Sequence, residues 1–293
     1  MKKQNALAVR YRSFTRQEKW LLPIFHFILL IFAIWMMLPI LFAILNSFKS
    51  VDEYYANSMS FPSSIAWSNY ANAFSLTYRN TSIPKMFFNS VVFVATFLFG
   101  NMASSIMTAY VLSKYRFFGR NFLYGLAITT QLIPIFGSTG AGYIICSNLG
   151  FVDNIWLLWL SGASGFDYTF LIIYSYFQNV DRAYSESAFI DGAGNFTVFM
   201  KIMVPMVMPS ILIMGLSTLV ALWNDYATAL IFLPNNPVLA TGIYNLQTLS
   251  AYIQGGATTY FAAVVIALIP VLIIFIVAQR YIFNINLEGG IKG

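Results

Sequence analysis

Charge is scarce in this sequence. Of its 293 residues only 9% are Asp, Glu, Lys or Arg, while 59% are hydrophobic. A soluble domain carries about 25% charged residues to cover its surface, so this chain cannot face water all round. It reads as an all-α integral membrane protein, and disorder, a disulfide scaffold and a nucleic-acid-binding domain are excluded together. One cysteine, Cys146, permits neither an internal disulfide nor a metal cluster. One histidine, His26, is too little for a metal site and reads as an ordinary buried or interfacial residue. No Gly-x-x-x-x-Gly-Lys-Ser/Thr run occurs, so the chain has no phosphate-cradling loop of its own. Gly137-Ser138-Thr139-Gly140 is glycine-rich, but it lacks the lysine and lies in an apolar stretch. With no Ser/His/Asp set either, the chain is not expected to be an enzyme, and no catalytic residue, metal or cofactor is assigned to it.

What is abundant is apolar sequence in runs of membrane-spanning length. A helix needs about 20 apolar residues to cross the hydrocarbon core. Six stretches qualify, approximately Leu21–Leu45, Val91–Leu112, Phe122–Ile145, Ile155–Phe177, Val207–Phe232 and Phe261–Ile282. The first is too long for a signal-peptide core and no small-x-small cleavage site follows it, so it counts as a span. Thirteen of the sixteen lysines and arginines fall on one side: six in the amino-terminal arm, then Lys114, Arg116, Arg120, Arg182, Lys201, Arg280 and Lys292. Only Lys49, Arg79 and Lys85 fall on the other. The positive-inside rule then places both termini in the cytoplasm, an even topology that agrees with six spans. The division is a basic arm over 1–19, a six-helix membrane domain over 20–283 and a tail over 284–293. No internal repeat is visible, which argues against an inverted-repeat carrier built within one chain.

Residues 180–209 form the loop after the fourth span. Asp181 is positioned to cap a helix over Arg182–Asp191, and Gly192 to end it in the left-handed conformation. Asn195 can cap a second short helix on which Phe196, Phe199, Met200 and Met203, at i, i+3, i+4 and i+7, share a face. Pro205 is expected to end or kink that helix before the fifth span. The apolar stripe has two readings: it packs on the protein's own helices or the lipid interface, or it is presented to a groove on a soluble partner.

Glu186-Ser187-Ala188, Ile190-Asp191-Gly192-Ala193 and the later Ile202 and Pro205 resemble the EAA loop of the permease subunits of bacterial ABC importers, with Ser187 in place of the first alanine. Trp223-Asn224-Asp225-Tyr226, Ile269-Pro270, Gln279-Arg280-Tyr281 and the ending Gly289-Gly290-Ile291-Lys292-Gly293 extend the likeness to the carbohydrate branch, similar to its maltose-type second permease, from Trp20 onward. The resemblance implies the type I importer permease fold in a bacterial cytoplasmic membrane. It also implies a second, homologous permease chain, two ATP-binding subunits that hold ATP and Mg, and an extracytoplasmic solute-binding protein. The loop would be the coupling helix, with Glu186, Ala188, Asp191 and Gly192 carried over and Phe196, Phe199 and Met200 of the stripe as its further contacts. The tail, Gly289–Gly293, would also reach the ATP-binding subunits.

Acids in a span cost about 2.5–3.5 kcal/mol on insertion scales and need an interior partner or a wet cavity. Asp167, after the helix-breaking run Ser161-Gly162-Ala163-Ser164-Gly165, and Asp225 are two such acids. Each either bonds a neighbouring helix or faces the substrate path. Asn224, Trp223, Tyr226 and Gln131 complete the candidate path, since amides and carboxylates bond sugar hydroxyls and aromatic faces cover a pyranose. With no Lys or Arg within the spans short of Arg280 at the cytoplasmic end of the sixth, a neutral oligosaccharide is the leading substrate and an acidic polysaccharide fragment the alternative. The uncharged external segment 233–260 either packs over the bundle or offers Tyr244, Leu246 and Tyr252 to the solute-binding protein. A self-contained ion-coupled carrier and a membrane enzyme are the rival classes.

Overall fold

The computed structural model describes residues 16–133, 138–163, 165–250, 252 and 255–288. Most of the basic arm, Pro134, and the tail from Gly289 lie outside the described residues. Helix α1 (Arg16–Ser47) has 32 residues, about 48 Å at 1.5 Å per residue, against a hydrocarbon core of about 30 Å. From Trp20 through Leu38 its side chains are exposed on every face, apart from partly covered Leu22. Such a helix, apolar all round, is covered by lipid or by another chain. His26 sits on it in the open, Nδ1 2.7 Å from the Leu22 carbonyl oxygen. Only the last turns of α1 join the bundle, where Phe42 meets Phe261 edge to face at 5.6 Å.

The segment after α1 folds into α2 (Val51–Ala56), α3 (Ser68–Ser75) and a two-stranded hairpin, β1 (Thr77–Tyr78) with β2 (Thr81–Ser82). A fully buried Lys49 holds it together. Its ammonium donates to the carbonyls of Asn57 and Ser58 at 3.0 and 2.9 Å, and the Asn69 amide donates to the carbonyls of Ser47 and Lys49. Buried ammonium is tolerated because these carbonyls replace its water.

Helix α4 (Ile83–Lys114) is the central element, packed along α7 (Tyr168–Asn179) and α10 (Val204–Trp223). It begins eight residues before the expected span, because Lys85 and Asn89 lower the local hydropathy without ending the helix; Pro84 in the first turn withholds an N–H that needs no partner there. Helices α5 (Arg120–Leu132) and α6 (Ser138–Asn148) occupy the third expected span, and a 3-10 turn (Leu158–Gly162) plus α7 occupy the fourth. These spans are therefore not single helices. The fourth breaks at its glycine–serine run: Gly165 adopts φ +69° beside Thr108 of α4, a conformation with little room for a side chain. The fifth is also divided, into α10 and α11 (Tyr226–Phe232), at Asn224-Asp225. Among the described residues four helices are long and apolar enough to cross a membrane, Trp20–Ser47, Ile83–Lys114, Asn195–Trp223 and Gly256–Gln279. The last lies in α13 (Gly256–Glu288), which packs on α1.

The segment 233–260 is not an open loop. It contains α12 (Leu239–Leu249), which packs on α4, α11 and α13. At this end of the bundle Arg79 donates to the Pro234 carbonyl, and Asn235 donates to both carboxylate oxygens of Asp153 from its backbone and side chain. The other end is the basic one. There Lys114 donates to the Val180 carbonyl and Arg120 to the Leu112 carbonyl, beside the loop that carries Arg182 and Lys201.

Candidate coupling loop and cavity

At the basic end, α8 (Ala183–Ile190) is followed by Gly192 at φ +82°. Gly192 N–H donates to the Phe189 carbonyl at 3.0 Å and Ala193 N–H to the Ala188 carbonyl at 2.9 Å. These paired bonds satisfy the last carbonyls of the helix and turn the chain sharply. The expected helix is one residue too long at each end: Arg182 holds the capping position, and Asp181 instead accepts from Ala183 N–H at 3.0 Å.

The second helix differs more. Helix α9 (Asn195–Val198) passes through a π turn (Phe199–Met203) directly into α10. Gly194, not Asn195, is its cap; the Asn195 side chain accepts from the Tyr115 hydroxyl at 3.1 Å. Pro205 does not end the helix. It has no N–H to give the Lys201 carbonyl, and the wider turn just before it, with bonds reaching back five residues rather than four, takes up the mismatch. The stripe is split as a result. Phe196 and Met200 point outward, at 74% and 47% exposure, whereas Phe199 packs against Tyr110 at 4.8 Å and Met203 is fully buried.

Glu186, Asp191 and Gly192 are exposed. Ala188 is buried in the cluster formed with Phe177, Val198 and Met203, so it supports the loop from within and offers no contact surface. Tyr184, Phe189 and Ile190 are exposed on α8, Ile190 at 86%. Sequence reasoning missed them because it sought an apolar stripe on the second helix alone; the signal available was Phe189-Ile190 next to the Gly192 stop.

Toward the opposite end, the break after α10 opens a cavity of about 340 Å³ lined by Trp223, Asn224, Tyr226, Tyr244, Gln247 and Tyr260 over an aliphatic floor. Tyr226 and Tyr244 stack at 4.3 Å with their planes 13° apart, which joins a residue expected on the path to one expected at the binding protein. Trp223 is nearly buried and donates to the Ala267 carbonyl at 3.2 Å, and the Asn224 amide donates to the Val220 carbonyl at 2.8 Å. Asp225 stands beside the cavity as the cap of α11, accepting from Thr228 N–H at 3.0 Å. Among the described residues, no Lys or Arg lines the cavity.

Asp167 and Gln131 lie elsewhere. Asp167 caps α7 through Phe170 N–H at 2.8 Å and accepts from Ser105 and Asn101 of α4 at 2.8 and 2.7 Å. Gln131 donates to the Phe166 carbonyl at 2.8 Å. Both brace the break in the fourth span and neither lines the cavity. Leu246 is 2% exposed and belongs to the core between α4 and α12, so it cannot reach a partner. Tyr252 is open to one.

A multi-pass helical bundle with an exposed bent lever at one end and an aromatic, uncharged cavity toward the other has the build of a translocation component. The family model for the binding-protein-dependent transport system inner membrane component matches residues 100–284, and the chain belongs to that family. It is 30% identical over 282 residues to the diacetylchitobiose uptake system permease protein of Streptomyces coelicolor, covering 95% of this chain and 91% of the relative. It is 29% identical to the polygalacturonan/rhamnogalacturonan transport system permease protein of Bacillus subtilis, covering 90% and 96%. A solved bacterial ABC transporter that imports the acidic polysaccharide alginate shares its fold, with a TM-score of 0.77, 20% identity, and 92% and 98% of the two chains covered.

Proposed function

We propose that this chain is one of two related permease subunits of an ATP-driven, binding-protein-dependent sugar importer. Both termini lie in the cytoplasm, as the distribution of Lys and Arg favours. The loop 180–209 seats on an ATP-binding subunit, which holds ATP and Mg and performs the hydrolysis; a solute-binding protein delivers substrate at the far side. The observation that carries this is the bent α8–α9 lever, with Tyr184, Phe189, Ile190 and Phe196 exposed around the Gly192 turn. Exposed apolar side chains on a short, fixed helix are what a groove on a partner recognises. Glu186 and Asp191 add polar contacts at the rim.

The substrate reading rests on the cavity. Stacked Tyr226 and Tyr244 present ring faces, and Asn224 and Gln247 present amides, a set suited to a pyranose with neutral hydroxyl or acetamido groups. Asp225 sets the cavity's shape as a helix cap. The relatives that handle polygalacturonan and alginate support a second reading, an acidic fragment, whose compensating cations would come from the second permease. Purifying the complex and measuring uptake of neutral and uronic-acid oligosaccharides, each delivered by the cognate binding protein, tests both. Failure of any ATP-binding subunit to co-purify contradicts the whole assignment.

A further inference from the structure

The lever and the cavity lie at opposite ends of the bundle, so something stiff must join them if the proposed function holds. Three elements leave the loop. Helix α10 continues it directly but is joined to it through the π turn at Phe199–Met203 and has an interior proline, Pro209. Helix α7 enters it but stops after twelve residues at Asp167. Helix α4 runs unbroken, and of the four long helices it is the one without an interior proline; prolines and π turns are where helices bend.

Helix α4 is also fastened at both ends. At the basic end Lys114 Nζ donates to the Val180 carbonyl, just before the loop, at 2.5 Å. Tyr115, which caps α4, donates its hydroxyl to Asn195 at 3.1 Å, and Tyr110 packs against Phe199. The lever is thus held on both sides of Gly192. At the far end Asn89 donates to the Pro237 carbonyl at 3.0 Å, and Ser90 Oγ accepts from Leu239 N–H at 2.7 Å, both buried. Leu239 is the first residue of α12, which carries Tyr244 and Gln247 to the cavity. Close packing reinforces the join, since a Cβ on Gly242 would lie 2.3 Å from Met86 Sδ. The 24 helical steps from Ser90 to Lys114 span about 36 Å.

We propose that α4 is the push rod of this permease: Lys114 and Tyr115 grip the loop, Asn89 and Ser90 grip α12, and movement imposed on the loop reaches the cavity wall as movement of this one helix. These four are positioning residues. The inference rests on the importer reading above. Its test is the amount of substrate taken up per ATP hydrolysed by the whole complex in proteoliposomes. Tyr115→Phe and Ser90→Ala each remove a single oxygen at opposite ends of the rod. Each variant is expected to keep an ATPase rate close to wild type while uptake per ATP falls about fivefold, the factor associated with losing one net hydrogen bond. The double variant is expected to fall by less than the product of the two, because both act on one linkage. An unchanged ratio, uptake and ATPase falling in parallel, or a fully multiplicative double variant overturns the proposal. Should either variant not assemble, Lys114→Met and Asn89→Leu break contacts at the same two ends and are judged by the same outcomes. Wild-type uptake that ignores ATP would instead sink the importer reading itself, whatever the variants do.

Discussion

Replacing Gly192 separates backbone geometry from contact at the lever. Its φ of +82° lies in the left-handed region, and among the described residues nothing stands within 4 Å of where a Cβ would be. Gly192→Ala therefore meets no steric obstacle; its cost is conformational, about 1–2 kcal/mol for an L-residue in that region. The bent form of the α8–α9 lever then becomes roughly 5–30 times less favoured, and a partner that binds only that form loses affinity by as much once the bent form is the minority. The measurement is the Kd of the permease pair for its ATP-binding subunits in detergent, for wild type, Gly192→Ala and Gly192→Asn. Asparagine tolerates left-handed backbone better than alanine does, so the order of affinity should be Gly, Asn, Ala. Equal affinities for all three, or a loss with asparagine as great as with alanine, would refute the claim that the turn itself is what the partner reads.

Other outcomes follow from other contacts. Asp167→Ala strands Asn101, Ser105 and Phe170 N–H; it should destabilise the chain by about 1.5–3 kcal/mol, seen as a drop in thermal unfolding temperature, with Asp167→Asn milder. Tyr244→Ala removes the stack on Tyr226, worth about 0.5–1.5 kcal/mol, and should raise the KM of uptake while the ATP-binding subunits remain attached. Leu246→Ala should cost about 2–5 kcal/mol of stability, yet leave the affinity of the surviving complex for its binding protein unchanged, because this side chain is in the core.

The membrane class, the two ends and the Gly192 turn were legible because each has a local cause: apolar run length, lysine and arginine placement, and a residue free to adopt positive φ. What hydropathy cannot distinguish is an apolar face turned to lipid from one packed on protein. Leu246 and Tyr244 are two positions apart with similar surroundings in sequence, yet one is core and the other lines the cavity. Averaged hydropathy also bridged the break at Asn224-Asp225, where polar residues are too few to interrupt a twenty-residue window, whereas the break in the fourth span was legible in its glycine–serine run. The π turn had no signal apart from Pro205, and a proline alone predicts a stop or a kink as readily as a widened turn. Asp167 was open between two roles because its donors, Asn101 and Ser105, are more than sixty residues away.

In the proposed importer the lever meets an ATP-binding subunit, and Ile190, at 86% exposure, is the place to test that contact. In a Cys146→Ser background, Ile190→Cys should cross-link to the co-expressed ATP-binding subunit in intact membranes and should resist an impermeant thiol reagent added outside whole cells. Labelling from outside, with no cross-link to any nucleotide-binding chain, would contradict it.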